Sequence, residues 1–334
     1  MHVLVVGGNG FIGSHVVDAL LAERVEVTVL DVCPERFRPA LRGVHFCEGS
    51  FGHAQDIEKV LELKPDVVIH LGNYNLSLNA PGVPEEDLRN LNDSVKLFES
   101  CIKHQVKKII FMSSGGKVYG IADHLPTKES DPTNPLGSYG ITKLSIEKHL
   151  LSLSHYFGIG AVILRPSNPF GVRQSPFGTQ GIIPIFGWKI LHHQPITIWG
   201  SGDALRDYIG VEDVARFCSI AATHECSGVF NLGSGIGVST TELVGALADV
   251  LEICPIIKRE PAREFDVPAV ILDSTRAMQQ FNWRCEIKLR DGLVDVTNWL
   301  KQLAANEANL DANQSSLSGL SSIGRESGLQ GVKD

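Results

Sequence analysis

The feature that constrains this chain most is a glycine-rich turn near its start. Residues His2–Val6 form a short apolar run rich in β-branched side chains, which is typical of a buried parallel strand. The stretch GGNGFIG follows at Gly7–Gly13, and apolar residues then recur at helical spacing. A second apolar run, Val25–Leu30, ends at Asp31. The order strand, turn, helix, strand predicts the beginning of a parallel α/β sheet.

The three spaced glycines predict a phosphate-binding turn. Gly7 permits a sharp exit from the strand, Gly10 lets a pyrophosphate approach the backbone, and Gly13 lets the helix pack closely on the sheet. The helix that begins at Phe11 and Ile12 offers free N–H groups and the positive end of its dipole to the phosphates. A glycine turn without a ligand is the alternative, and the position between strand and helix favours dinucleotide binding.

The carboxylate of Asp31 indicates which dinucleotide is bound. It ends the second strand, 18 residues after Gly13, where it can accept hydrogen bonds from the adenosine ribose diol. It would also repel a 2′-phosphate. We therefore predict NAD rather than NADP as the cofactor, and Arg36 weakens that preference slightly.

Alternating strands and helices continue as far as Leu164 and predict an α/β fold, a Rossmann-type doubly wound parallel sheet. Further helices are predicted at 56–63, 85–104 and 139–157, and further strands at 66–71, 108–112 and 161–164. From about Arg165 the pattern loosens, and the rest predicts a smaller C-terminal α/β domain that binds the substrate.

The domain boundaries follow from these patterns. We expect an NAD-binding domain at 1–170, to which 208–232 returns, and a substrate-binding domain at 171–207 and 233–302. The tail 303–334 has no aromatic residue and carries six serines between Ser315 and Ser327. That composition predicts disorder.

Composition excludes several classes of function. The net charge of −8 disfavours nucleic-acid binding. The seven cysteines are scattered without a C-x-x-C pair, and the histidines lack ligand spacing, so neither disulfides nor a metal site is expected. The chain lacks an 18-residue apolar run, so no membrane span is predicted. The first strand begins at His2, which leaves no room for a signal peptide. We expect a cytoplasmic protein.

The pair Tyr139 and Lys143 predicts redox chemistry at a hydroxyl group. The two residues are four apart at the start of a helix, so both side chains lie on one face. A neighbouring ammonium and the positive nicotinamide of an oxidised cofactor would lower the pKa of the tyrosine. The alternative is an exposed helical face on which the two residues meet by chance.

Motifs along the chain carry a resemblance to a known family. They are GGNGFIG at 7–13, DVVIHLG at 66–72, SSGGKVYG at 113–120, SYGITK at 138–143, RPSNPFG at 165–171, IWGSGDALRDYIGVEDVA at 198–215, FNLGSG at 230–235 and the segment 263–273. With these motifs the chain resembles the extended short-chain dehydrogenases/reductases of the nucleotide-sugar epimerase/dehydratase family. Within that family it is most similar to the UDP-glucose/UDP-galactose 4-epimerase type.

The resemblance implies a 4-epimerase and a role for each matching residue. Tyr139 would be the base that takes the proton of the sugar 4-hydroxyl, and Lys143 would bind the nicotinamide ribose. A 4-keto intermediate would turn in the pocket before reduction on the opposite face, with NAD remaining bound. The nucleotide-sugar substrate would be held by Asn168, Arg206, Arg263 and Asp266. For Arg206 the alternative is a salt bridge with Asp203, Asp207 or Asp213.

The sequence departs from the family pattern at several positions. The usual catalytic Ser or Thr is Gly115 here, and Ser114 either replaces it or merely caps a turn at the strand end. Dehydratases carry an Asp–Glu pair where this chain has Gly116 and Lys117, so elimination of water is disfavoured. Ser50 stands where many relatives have an Asp that contacts adenine. Val270 either limits the sugar pocket, with room for an N-acetyl group, or only packs.

Assembly and alternative functions also follow from the resemblance. Relatives dimerise through the helix at 139–157 and the helix before Cys101, so a homodimer is expected; the alternative is a helix buried within one subunit. The rival enzymatic functions are an NDP-sugar 4,6-dehydratase or another NDP-sugar oxidoreductase. A non-enzymatic NAD-binding protein is disfavoured, because such proteins typically lose the Tyr/Lys pair.

Overall fold

A computed structural model describes residues 1–74, 84–262 and 267–323 of the chain. Its main element is a seven-stranded sheet in which every neighbouring pair of strands is parallel. The strands in sheet order are β10 (Gly228–Leu232), β6 (Gly160–Pro166), β5 (Lys108–Met112), β4 (Val67–His70), β1 (His2–Val6), β2 (Glu26–Asp31) and β3 (Val44–Glu48).

Helices cover both faces of this sheet, as the prediction of a doubly wound fold requires. On one face α1 (Phe11–Ala22) packs against α7 (Val211–Thr223), and their apolar side chains join the sheet in one buried cluster. On the other face α2 (Ala54–Leu61), α3 (Glu85–Lys103) and α5 (Ser138–Phe157) form a second cluster. The inner strands are apolar on both sides because both faces are buried, whereas the edge strand β3 is mostly exposed.

The sequence analysis missed β3 and the strands of the second half. The short α4 (Gly115–Val118) follows β5. A smaller lobe contains α6 (Ile182–Leu191), α8 (Thr240–Leu251) and α9 (Thr275–Phe281), with β8 (Ile196–Trp199) paired to β12 (Ile257–Glu260). The remaining strands β7 (Asn168–Phe170), β9 (Leu205–Gly210), β11 (Gly237–Ser239) and β13 (Ala269–Val270) form a sheet around β9.

The last helix corrects the prediction of a disordered tail. Helix α10 runs from Leu289 to Ile323, so the segment 303–323 is helical, and residues 324–334 lie outside the described part. The physical reason is that residues 300–314 include four Ala, three Leu and two Gln, which favour helix, and contain no Pro or Gly. Trp299 on this helix contacts Phe37 edge-on, with 5.4 Å between ring centroids. Among the described helices none is long and apolar enough to cross a membrane.

Candidate active site

The glycine turn lies at the carboxyl-terminal edge of the sheet, between β1 and α1. Gly7 has a φ of +80°, and a Cβ there would lie 2.8 Å from the backbone nitrogen of Gly72. At Gly13 a Cβ would collide with the carbonyl oxygen of Gly7. The first helical hydrogen bond of α1 runs from Ser14 N–H to Gly10 O at 2.9 Å. The N–H groups of residues 11–13 therefore point out of the helix, as a phosphate requires.

Asp31 is fixed by the glycine turn itself. Its carboxylate accepts hydrogen bonds from the Asn9 N–H at 3.0 Å and the Cys33 N–H at 3.3 Å. The Asn9 side chain donates to Cys33 O at 2.7 Å. Asn9 was missed from the sequence, although it stands in the middle of the GGNGFIG motif. Asp31 and the glycine turn are thus joined by hydrogen bonds.

The arginines near Asp31 are engaged with acids. Arg38 donates to Asp18 and, at 2.6 Å, to Glu35, and Arg173 pairs with Asp18 at 2.8 Å. Arg36 is exposed. A 2′-phosphate would have to compete with these carboxylates for Arg38, which agrees with the prediction of NAD.

Tyr139 and Lys143 lie one turn apart at the start of α5. The Lys143 ammonium lies 5.8 Å from the centre of the Tyr139 ring and donates to Met112 O, at the end of β5, at 3.1 Å. Lys143 is only 4% exposed, whereas Tyr139 is half-buried. The pair lies at the same sheet edge as the glycine turn, because β1, β4 and β5 are adjacent and parallel.

The charges around the pair differ from the sequence-based expectation. Burial raises the pKa of Tyr139, the charge of Asp87 raises it further, and a hydrogen bond with Ser114 opposes both. Burial lowers the pKa of Lys143 to about 8, against the charges of Glu147 and Asp87. The sequence analysis expected the ammonium and the positive nicotinamide of a bound cofactor to lower the tyrosine pKa together; in the protein alone burial is the largest influence on that pKa.

Of the two neighbouring positions, Ser114 reaches the Tyr139 phenol, whereas Gly115 is closely packed. A Cβ at Gly115 would lie 2.9 Å from Arg165 O and would collide with the Leu272 side chain. Ser114 precedes α4, and its hydroxyl contacts the Tyr139 phenol. The packing thus explains why position 115 is glycine, and Ser114 is the hydroxyl that contacts the tyrosine.

A buried polar network supports the catalytic helix from behind. Glu147 accepts hydrogen bonds from Arg165 Nε at 3.0 Å and Arg165 Nη2 at 2.6 Å, and also from the Ser113 hydroxyl. Arg165 Nη1 donates to the Tyr119 hydroxyl at 2.8 Å, which in turn donates to Asn231 Oδ1 at 2.7 Å. This network ties α5 to β5, β6 and β10. It was missed because its members are far apart in sequence.

Three of the predicted substrate residues share the small sheet around β9. The Asn168 side chain donates to Asp207 O at 2.8 Å, and Arg206 is opposite Val270 in the pairing of β9 with β13. Val270 is buried and Arg206 is partly exposed. Arg263 and Asp266 lie outside the described residues.

Two of the acids considered as partners of Arg206 are engaged elsewhere. Asp207 accepts hydrogen bonds from Ser234 and from the backbone N–H of Leu272. Asp213 pairs with Arg216 at 2.6 Å.

Several buried polar atoms around this edge have no hydrogen-bond partner among the described residues. They are His70 Nδ1, both carboxylate oxygens of Asp87, Asn90 Nδ2 and Ser167 Oγ. Groups of this kind are rare in folded proteins unless a ligand or water satisfies them. Together with the free N–H groups of α1, they fit a site that holds a dinucleotide beside a polar substrate. Within the described ranges no group of acids, histidines and cysteines could hold a metal ion.

The sequence profile of the NAD dependent epimerase/dehydratase family matches residues 3–233. The chain belongs to this family. NAD is therefore its cofactor, and the glycine turn and Asp31 fit it.

Relatives and solved structures within the epimerase/dehydratase family agree with this placement. The UDP-glucose 4-epimerase of Mycolicibacterium smegmatis is 31% identical over 90% of this chain and 99% of its own. The structure of Thermotoga maritima UDP-glucose 4-epimerase with UDP-glucose has a TM-score of 0.84 and 33% identity, covering 91% of this chain and 100% of that one. The Thermus thermophilus UDP-glucose 4-epimerase with NAD has a TM-score of 0.85 and 30% identity, covering 90% and 99%.

Proposed function

We propose that this protein interconverts C4 epimers of a UDP-sugar, UDP-glucose and UDP-galactose or their N-acetylated forms, through a 4-keto intermediate. The observation that carries the proposal is the contact of the Tyr139 phenol with Ser114, one turn from the buried Lys143, at the sheet edge that bears the glycine turn. Two similar proteins carry the name UDP-glucose 4-epimerase, and one of them was solved with UDP-glucose bound.

Three residues, which we call the triad, have distinct roles in this mechanism: Tyr139, Ser114 and Lys143. Tyr139 takes the proton of the 4-hydroxyl group and returns it after the keto sugar has turned. Ser114 donates a hydrogen bond to the reacting oxygen. Lys143 contributes positive charge and holds the nicotinamide ribose. When bound, NAD accepts a hydride from C4, returns it to the other face and adds positive charge beside the phenol. That added charge offsets the burial that raises the pKa of Tyr139 in the protein alone.

The nucleotide end of the substrate is assigned to the smaller lobe. We infer that Arg206 and Arg263 bind the diphosphate, because guanidinium groups bind phosphate oxygens in a planar fork. Asp266 contacts the nucleotide ribose, and Asn168 faces the phosphates with the amide hydrogen that Asp207 O does not use. Val270 limits the sugar pocket. In this assignment 1–170 with 208–232 binds the cofactor, and 171–207 with 233–302 binds the substrate.

Dehydration of the sugar is disfavoured by the residues after Ser114. Dehydratases of the family use an Asp–Glu pair at the positions of Gly116 and Lys117. A Cβ at Gly116 would lie 3.7 Å from Ser167 O and 3.9 Å from Ser114 Oγ, so a side chain would fit there. The absence of the acid is therefore not imposed by packing, which supports the epimerase.

The surface of α5 supports a homodimer. Its inner face is buried, but Ile141 is 52% and Tyr156 is 77% exposed, so the helix is not buried within one subunit. Apolar side chains on α3 and α5 of two copies would form the four-helix contact. All seven cysteines are free, and we propose a reducing cytoplasm as the compartment.

The direct test is turnover by the purified protein. UDP-glucose, UDP-galactose and their N-acetylated forms would be supplied singly, and the products separated by chromatography. We expect interconversion within at least one pair without added NAD. Tyr139→Phe should retain NAD and lose about 10²–10⁴-fold in kcat. Accumulation of a 4-keto-6-deoxy sugar in place of any epimer would refute the proposal in favour of a dehydratase.

A further inference from the structure

A buried carboxylate near the triad has no assigned role. Asp87 lies in the first turn of α3 and is 0% exposed, and neither of its oxygens accepts a hydrogen bond from any residue in the described ranges. A buried carboxylate without a partner costs several kcal/mol of folding free energy. Such a group is retained where a ligand satisfies it.

Helix capping does not account for Asp87. It is the third residue of α3, where a carboxylate ordinarily reaches back to the N–H of the capping residue. The capping residue here is Pro84, which has no N–H. The other two acids of the turn, Glu85 and Glu86, are more exposed, and they already complement the helix dipole.

The side chain of Asp87 lies on the inner face of α3, toward α5. Helices α3 and α5 pack together, and the charge of Asp87 acts on both Tyr139 and Lys143. One turn further along α3, Asn90 is also buried. Its Oδ1 accepts the Tyr74 N–H at 2.8 Å, while its Nδ2 has no partner among the described residues. An acceptor and a donor thus lie one turn apart on the buried face of α3, and the acceptor is near enough for its charge to act on Tyr139.

We propose that Asp87 accepts hydrogen bonds from hydroxyl groups of the bound sugar and, by its charge, excludes UDP-sugars that carry a carboxylate. An ionised carboxylate only accepts hydrogen bonds, so it selects a ligand that donates them. A neutral hexose presents hydroxyl donors around C4, whereas a uronic acid places an anion on the same ring. Like charges in a desolvated pocket repel strongly. The inference rests on the proposed function, since it takes the sugar to lie beside Tyr139.

The test compares two substrates in two matched variants. Asp87→Asn keeps the shape and removes the charge, and Glu85→Gln makes the same chemical change at an exposed position of the same turn. UDP-galactose and UDP-glucuronate would be assayed for kcat/KM with each protein. We expect the kcat/KM for UDP-glucuronate, divided by the kcat/KM for UDP-galactose, to rise about tenfold or more in Asp87→Asn. In Glu85→Gln this ratio should stay unchanged.

A ratio between substrates separates this role from an effect on the triad. If Asp87 serves only as a counter-ion of Lys143, its loss changes kcat/KM for both substrates by the same factor and moves the pH profile. That result would show the proposal to be wrong. Loss of bound NAD from Asp87→Asn would also overturn it. Thermal unfolding is the third readout: removing an unsatisfied charge should not lower the midpoint, whereas a structural role would lower it by several degrees. Asp87→Ser, with a hydroxyl in place of the charge, should give the same change of ratio.

Equilibrium binding distinguishes failure of this inference from failure of the proposed function. Calorimetry with UDP-galactose and UDP-glucuronate needs no turnover. If the wild-type protein epimerises neither sugar, a shift of relative affinity toward UDP-glucuronate in Asp87→Asn still supports the role of Asp87. Unchanged relative affinity in that variant refutes it, whether or not the wild type is active.

Discussion

Replacing Glu147 by Gln tests whether the catalytic helix depends on the buried network behind it. Glu147 is 1% and Arg165 4% exposed at the side chain, and two hydrogen bonds join them. The Gln oxygen can still accept from Ser113 and Arg165 Nε. Its NH₂ group, however, would face Arg165 Nη2, a second donor, where the native oxygen lies 2.6 Å away. The guanidinium would then be buried without a counter-charge.

The size of the effect follows from that burial. Removing one partner of a buried ion pair costs about 3–5 kcal/mol. In a chain of 334 residues each kcal/mol lowers the unfolding midpoint by about 1–2 °C, so the expected drop is about 3–10 °C. Glu58→Gln is the matched control. Glu58 bonds to His104 at 2.8 Å on the surface, and because solvent screens such a pair, its loss should leave the midpoint almost unchanged.

Calorimetry of the NAD-loaded protein would measure both midpoints. Equal midpoints for Glu147→Gln and Glu58→Gln would show that the network does not stabilise the fold. A second readout is the pH profile of kcat/KM, because the charge of Glu147 raises the pKa of Lys143. The alkaline limb of the variant should therefore move to lower pH. A lower midpoint with an unmoved limb would refute the link between Glu147 and Lys143.

Three more predictions concern the triad and the glycine turn. Ser114→Ala should lower kcat about 10²-fold with NAD retained. Gly115→Ser should destabilise the fold by about 1–3 kcal/mol without adding activity. A gain of activity in Gly115→Ser would contradict the packing argument. In the wild type, kcat/KM should fall as pH rises through about 8, because Lys143 then loses its proton; a flat profile from pH 7 to about 9 would exclude that role. Gly13→Ala should yield protein without bound NAD, since its Cβ would collide with Gly7 O, and a normal NAD content measured by absorbance would count against the tight turn.

The sequence predicted those parts of the site that depend on residues close together in the chain. The glycine turn, Asp31 and the pair Tyr139–Lys143 each depend on spacing within a few residues or one α/β unit, and the structure places all of them at one sheet edge. The first strands and helices were predicted nearly to their ends for the same reason. Buried parallel strands and amphipathic helices carry strong periodicity.

The parts that sequence reasoning missed depend on contacts between distant segments. Glu147 and Arg165 become a pair only when α5 packs beside β6. Asp87 looks like an ordinary acid of a first helical turn, and only its complete burial distinguishes it. The choice between Ser114 and Gly115 likewise needed the position of Arg165 O. For the tail, serine content was given more weight than helix propensity.

The edge-on contact of Phe37 with Trp299 has a consequence for how the protein retains its cofactor. Phe37 lies six residues after Asp31, to which we assign the adenosine ribose, and Trp299 lies on the long terminal helix. A fusion partner or a truncation that draws this helix away would free the segment after β2. NAD would then leave faster, although the altered residues lie far from the dinucleotide.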